Sequence, residues 1–230
     1  MRRGRDVRLP RAQPIQKNML LISKISKGFR GRAVFDDASL RAARGEAVVL
    51  TGANGAGKTT LLRIAAGILP PDAGDVRLCG TECRGGYSSR AYRELAGYVS
   101  SDDNSFYGML TAKQNLDFFA GLRGLNKIPD AVLERAEMLD VSGFLDTTFA
   151  FLSKGTKQKF SFLRAFMGEP KAIFADETDA MDPASQKKAD DMLSEFAGNG
   201  GIILCVGKGR AGFAAKRYLI ENGRLTECER

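Results

Sequence analysis

The 230-residue sequence predicts an α/β fold built on a largely parallel sheet, and three observations carry that prediction. Short apolar, strand-like runs recur at residues 47–51, 95–99, 171–175, 202–206 and 217–221, with helical patterns between several of them. The first run leads into Gly52-Ala53-Asn54-Gly55-Ala56-Gly57-Lys58-Thr59, which satisfies every fixed position of G-x-x-x-x-G-K-[ST]. Hydrophobic content of 43% and charged content of 27% belong to a soluble globular chain.

Each element follows in order. Met19-Leu20-Leu21-Ile22-Ser23-Lys24 opens on a strand, and Met19 is an alternative natural start. Ala47-Val48-Val49-Leu50 is a buried strand entering the glycine-rich loop, and Thr60-Leu61-Leu62-Arg63-Ile64-Ala65-Ala66 is the helix leaving it. Between about 102 and 165 strand signals fade and helical ones dominate, as in Asp130-Ala131-Val132-Leu133-Glu134-Arg135-Ala136-Glu137-Met138-Leu139. This predicts a helical lobe over 102–165 inserted into a core lobe formed by 19–101 and 166–230. Asn222-Gly223, between Tyr218-Leu219-Ile220 and Arg224-Leu225-Thr226, marks a terminal hairpin.

The formal net charge is +8. Within residues 1–20, Arg2, Arg3, Arg5, Arg8, Arg11 and Lys17 face only Asp6, so five of those eight charges sit there and the body is nearly balanced. Residues 1–18 therefore read as a basic, disordered tail rather than a nucleic-acid surface. No apolar stretch reaches the about 18 to 20 residues of a membrane helix, and no signal-peptide core follows the basic start. A cytoplasmic location is expected. Cys79, Cys83, Cys205 and Cys228 lack a metal-binding pattern and read as reduced thiols.

The loop of residues 52–59 predicts a nucleoside triphosphate site. Its glycines allow the backbone to wrap phosphate oxygens, with N–H groups and a helix start pointing at negative charge. Lys58 reaches the β- and γ-phosphates, and Thr59 offers a hydroxyl to Mg2+. The run Lys171-Ala172-Ile173-Phe174-Ala175 ends in Asp176, placed as a magnesium ligand, and Glu177, placed as the base for an attacking water. Leu152-Ser153-Lys154-Gly155-Thr156-Lys157-Gln158-Lys159 puts Ser153 at a helix-capping position, and such an N-terminus also attracts phosphate.

Taken in this order, over residues 19–226, these three motifs resemble the ATP-binding cassette (ABC) family. The resemblance implies a P-loop NTPase core with an inserted helical lobe and a small antiparallel β portion. It implies ATP and Mg2+ as cofactors, with Gly52, Ala53, Asn54, Gly55, Ala56, Gly57, Lys58, Thr59 and Thr60 on the phosphates, and Thr59 and Asp176 on the metal. In the family two cassettes face head to tail, so that Ser153 and Gly155 would contact the γ-phosphate held by the other subunit. Phe29 stands where the family places the ring that stacks on adenine. Asp182, in Met181-Asp182-Pro183, matches the acid of the dimer-contacting loop. The implied catalytic residues are Glu177, Lys58 and Lys208.

Several positions depart from the family pattern: the signature carries Lys154 and Thr156, Thr178-Asp179 replaces the common Pro-Thr after Glu177, the loop at Asp182 is one residue shorter, and two positions near the phosphates differ. Where a glutamine normally helps hold magnesium the chain reads Ser100-Ser101-Asp102, and serine is too short for direct metal contact. Where a histidine normally meets the γ-phosphate the chain has Lys208, and it contains no histidine. The resemblance therefore implies ATP binding with hydrolysis of reduced rate, in an ATPase subunit of an exporter-like transporter. Its partners would be separate membrane permease subunits, docking at residues 100–120, and a second cassette in a homodimer or heterodimer. It would lie on the inner face of the membrane. A degenerate cassette serving as the quiet half of a heterodimer and a regulatory or nucleic-acid-associated cassette are the alternatives.

Overall fold

The computed structural model describes residues 19–83, 89–101, 105–177, 180–207 and 216–228. Two sheets organise them. An antiparallel sheet in the order β2-β1-β4-β5 is formed by β1 (Met19–Phe29), β2 (Arg32–Ala43), β4 (Ala73–Leu78) and β5 (Thr81–Cys83). The six-stranded sheet contains β3 (Ala47–Thr51), β6 (Ala96–Val99), β7 (Ala172–Ala175), β8 (Ile202–Val206), β9 (Lys216–Glu221) and β10 (Arg224–Cys228). Its order is β10-β9-β3-β8-β7-β6, parallel throughout except for the β9–β10 hairpin. Asn222 and Gly223, with φ of 48° and 76°, make the turn of that hairpin.

Both faces of the parallel strands are covered, which is why they read as unbroken apolar runs. Val48, Leu50, Phe174 and Leu204 pack with Leu61 and Leu62 of α1 (Lys58–Ala65) and with Ile22 and Phe35 of the antiparallel sheet. Val49, Ile173, Ile203 and Cys205 point the other way. There they meet Leu116 of α3 (Ala112–Leu122), Val132 of α4 (Asp130–Met138), Phe160 of α5 (Lys154–Ala165) and Leu193 of α6 (Pro183–Gly198). The predicted helical region is thus α3, α4, two short 3₁₀ turns and α5. The strand expected at 95–99 starts at Ala96, because Leu95 closes α2 (Arg90–Leu95).

Among the described residues no helix is long and apolar enough to cross a membrane. None of the four cysteines forms a disulfide. The tail expected over 1–18, Asp102, the Thr178-Asp179 pair and Lys208 lie outside the described residues.

Candidate functional site

The C-terminal ends of β3, β6 and β7 set the site. β3 is buried up to Leu50 and ends at Thr51, whose hydroxyl donates to the Tyr218 carbonyl at 3.1 Å. The chain then turns into solvent, leaving Ala53, Asn54 and Gly55 exposed. Gly57 is the N-cap of α1 at φ 103°, a left-handed conformation, and a Cβ there would sit 2.7 Å from both the Phe35 ring and the Val34 methyl. Only glycine satisfies both conditions. No side chain caps α1, so its first-turn N–H groups remain available to an anion. The Lys58 ammonium folds into its own loop, donating to the carbonyls of Gly52 (3.1 Å) and Ala53 (3.0 Å).

β7 delivers Asp176, only 1% exposed, beside α1. The Thr59 hydroxyl donates to one carboxylate oxygen of Asp176 at 3.0 Å, and the Glu177 N–H meets that same oxygen at 3.0 Å. The Ser101 hydroxyl takes the other oxygen at 2.9 Å. One buried carboxylate and a threonine hydroxyl beside a phosphate loop form a hard-oxygen donor set. That suits Mg2+, which is commonly held by one or two carboxylates together with substrate phosphates and water. Among the described residues no group of three or more Cys, Asp or Glu side chains offers a competing metal cage.

The start of α5 lies against the chain that follows Glu177. The Gln158 side chain, 6% exposed, donates to the Glu177 carbonyl at 2.9 Å and accepts from the Ala180 N–H at 3.1 Å. Gly155 permits this approach, since a Cβ there would fall 2.5 Å from the Ala180 carbonyl oxygen. Ser153 is exposed and caps α5 by accepting from the Thr156 N–H at 3.1 Å.

The structure therefore brings Lys58, Thr59, Asp176 and Glu177 into one cluster. Gly155 lies against Ala180, and neither it nor Ser153 has a hydrogen bond to residues 52–59 among the described residues. Asp182 caps α6, accepting from the Ser185 N–H at 2.9 Å and its hydroxyl at 2.6 Å. Those bonds, the hydroxyl first, and Lys159 at 3.6 Å pull its carboxyl down to about 2. Phe29, at the end of β1, is 46% exposed with the Lys27 ammonium 5.4 Å from its ring, so it is not a core residue. Sequence reasoning missed the roles of Ser101 and Gln158. A polar residue at the mouth of a buried strand was the available signal for Ser101. A glutamine in the interior-facing register of α5 was the one for Gln158.

A phosphate loop between a buried strand and a helix, with a carboxylate on a second parallel strand, defines a P-loop nucleotide-binding protein. The ABC transporter family model matches residues 35–180, and the chain belongs to that family as an ATP-binding subunit. The cytochrome c biogenesis ATP-binding export protein CcmA of Rhizobium johnstonii is 33% identical over 190 residues, covering 81% of this chain and 86% of the relative. The ergothioneine transport ATP-binding protein EgtV of Helicobacter pylori is 31% identical, covering 80% and 86%. An ABC transporter ATP-binding protein of Bacillus subtilis, YhcH, is 28% identical over 83% of this chain, which spans 61% of YhcH. Among solved structures, an ATP-binding subunit of an ABC transporter aligns with a TM-score of 0.79 at 26% identity, over 91% of this chain and 89% of that one. The ATP-binding cassette MJ0796, dimeric with ADP and Pi, aligns at 0.81 over 91% and 98%, and at 20% identity that likeness speaks to the fold alone.

Proposed function

We propose that this chain binds ATP with Mg2+, hydrolyses it, and by closing head to tail on a second cassette drives separate membrane permease subunits. The observation that carries the reading is the meeting of Thr59 and Asp176 at 3.0 Å beside a loop that already encircles the Lys58 ammonium. On ATP binding the lysine exchanges two loop carbonyls for phosphate oxygens, and the uncapped N–H groups of α1 receive the remaining negative charge. Thr59 and Asp176 would hold Mg2+, which neutralises phosphate charge when bound. Glu177, whose N–H is tethered to Asp176 and whose carbonyl is tethered to Gln158, would take a proton from water.

Exposed Ser153 and the start of α5 would meet the nucleotide of the opposing cassette, as Asp182 would meet the opposing loop. A groove of about 820 Å³ is lined by residues from and beside α1, α2, β6, α3 and α5, among them Tyr98, Phe119 and Arg164. It is the seat proposed for the permease, and would hold the chain at the inner face of the membrane. CcmA is named for export in cytochrome c biogenesis and EgtV for ergothioneine transport, so likeness to these relatives does not by itself set the cargo. Export is the proposed direction of transport, in line with CcmA.

Steady-state ATP hydrolysis by the wild type beside Glu177→Gln, with nucleotide binding measured in parallel, tests the reading. Turnover abolished by the substitution, with binding retained and an ATP-trapped dimer on gel filtration, is the expected result. Equal turnover in both proteins removes Glu177 as the base. Binding without turnover in the wild type identifies a quiet cassette instead, as Ser101 and Lys208 would favour.

A further inference from the structure

We infer that Ser101 is a positioning residue for magnesium, acting through Asp176 rather than by touching the metal. This rests on the nucleotide reading above and adds to it a residue that departs from the family pattern. Three facts carry it. Asp176 is buried, so its two oxygens depend on protein donors for their orientation. One oxygen is held by Thr59 and the Glu177 N–H, and the other receives the Ser101 hydroxyl at 2.9 Å. The Thr59 hydroxyl is itself a metal-ligand candidate, and when it turns to a cation the Ser101 bond still restrains the other oxygen of the carboxylate.

Ser101 is held well for this task. The parallel register pairs Val99 with Ala175, and the Asp176 N–H donates to the Val99 carbonyl at 3.1 Å, so the ends of β6 and β7 leave the sheet side by side. One residue before Ser101, the Ser100 N–H donates to the Ser161 hydroxyl of α5 at 2.9 Å in a buried contact. A short side chain on a rigid strand end reaches the carboxylate directly. A glutamine, longer by a methylene and ending in an amide, would reach past it. Serine in this place therefore keeps the site magnesium-competent by gripping the ligand where the longer side chain would grip the metal.

The test is equilibrium binding of a fluorescent ATP analogue titrated with Mg2+, for the wild type, Ser101→Ala and Ser101→Thr, with thermal melts of each nucleotide-free protein. Losing a hydrogen bond to a charged group predicts that Ser101→Ala needs about tenfold more Mg2+ for half of the metal-dependent gain in affinity. Affinity without Mg2+ should stay at the wild-type value, and Ser101→Thr, which keeps the hydroxyl, should restore the wild-type midpoint. A purely structural serine would lower the melting temperature and the metal-free affinity while leaving the Mg2+ midpoint alone, and that pattern overturns the inference. A wild type that binds the analogue without any response to Mg2+ overturns the metal reading of Thr59 and Asp176, and Ser101 falls with it.

Discussion

Two helices of this molecule begin at its nucleotide-handling edges, and they begin differently. α1 starts from a left-handed glycine with no side-chain cap, whereas α5 starts from Ser153, whose hydroxyl accepts from the Thr156 N–H and lies 2.8 Å from the Thr156 hydroxyl. Every helix leaves its first N–H groups unpaired, and the choice of cap decides whether a ligand or the chain itself satisfies them. α1 leaves its donors open to an anion and keeps the Lys58 ammonium bonded to loop carbonyls. α5 satisfies one donor internally, so its start is stable without a partner, and Ser153 must turn toward a phosphate to serve one. On the function proposed above, the uncapped start would serve a ligand held by this chain, and the capped one a contact completed by a second cassette.

The comparison can be broken most severely at Lys58. Replacing it with alanine removes a charged donor from the phosphates, and ATP affinity measured by isothermal titration should fall by about 10- to 100-fold while the fold survives. An affinity within about twofold of wild type would mean that the backbone cradle alone binds the nucleotide.

At the capped side, Gln158→Leu leaves the Glu177 carbonyl and the Ala180 N–H without their buried partner, a loss of about 1–3 kcal/mol in chemical unfolding. Because those groups flank the proposed base and not the phosphate loop, kcat should drop by about tenfold with ATP affinity unchanged, since each factor of ten corresponds to about 1.4 kcal/mol at the barrier. Loss of affinity with kcat intact would place Gln158 on the wrong side of the comparison.

The two caps themselves come next. Gly57→Ala forces a Cβ into left-handed backbone and against Phe35, costing about 1–3 kcal/mol. Ser153→Ala removes one helix cap, for about 1 kcal/mol. Urea unfolding of the pair should rank them in that order, and the reverse ranking would contradict the assigned geometry of the loop.

The smallest effect is acid-dependent. The Ser185 hydroxyl and N–H hold the folded Asp182 carboxyl down to about 2, below its ordinary 3.8. The stabilisation that this shift contributes is therefore present above the ordinary value and is lost as the pH falls through about 2. Asp182→Asn should flatten the dependence of stability on pH in that acid window alone, and leave the slope near neutral pH as it is in the wild type.

Much of the site is legible in the order of residues along the chain. The phosphate loop is contiguous, so spacing alone places Gly52 through Thr59, and Asp176-Glu177 announces itself by ending an apolar run. β3, β7 and β8 appear as apolar runs because both of their faces are buried. β1, β2 and β4 mix buried with exposed or partly exposed positions, β5 has partly exposed ones alone, and only the start of β1 stands out. Asp182 reads from sequence as a contact for a second subunit, and the structure adds that it caps its own helix. Phe29 reads as an adenine platform or a core ring, and its exposure removes the second possibility.

What the sequence determined by itself is local: a glycine-rich loop of fixed spacing, acids closing a buried strand, a serine ahead of a helix, and a family resemblance resting on their order. Tertiary structure decided the pairings between distant residues. Thr59 meets Asp176 across 117 positions and Ser101 meets it across 75, because β3, β6 and β7 run parallel in one sheet and end at the same edge. A hydrogen bond reaches about 3 Å, and chain spacing carries no information on that scale once the partners belong to different strands. Sheet order and register supply it, and with it the role of a serine that sequence alone reads as too short.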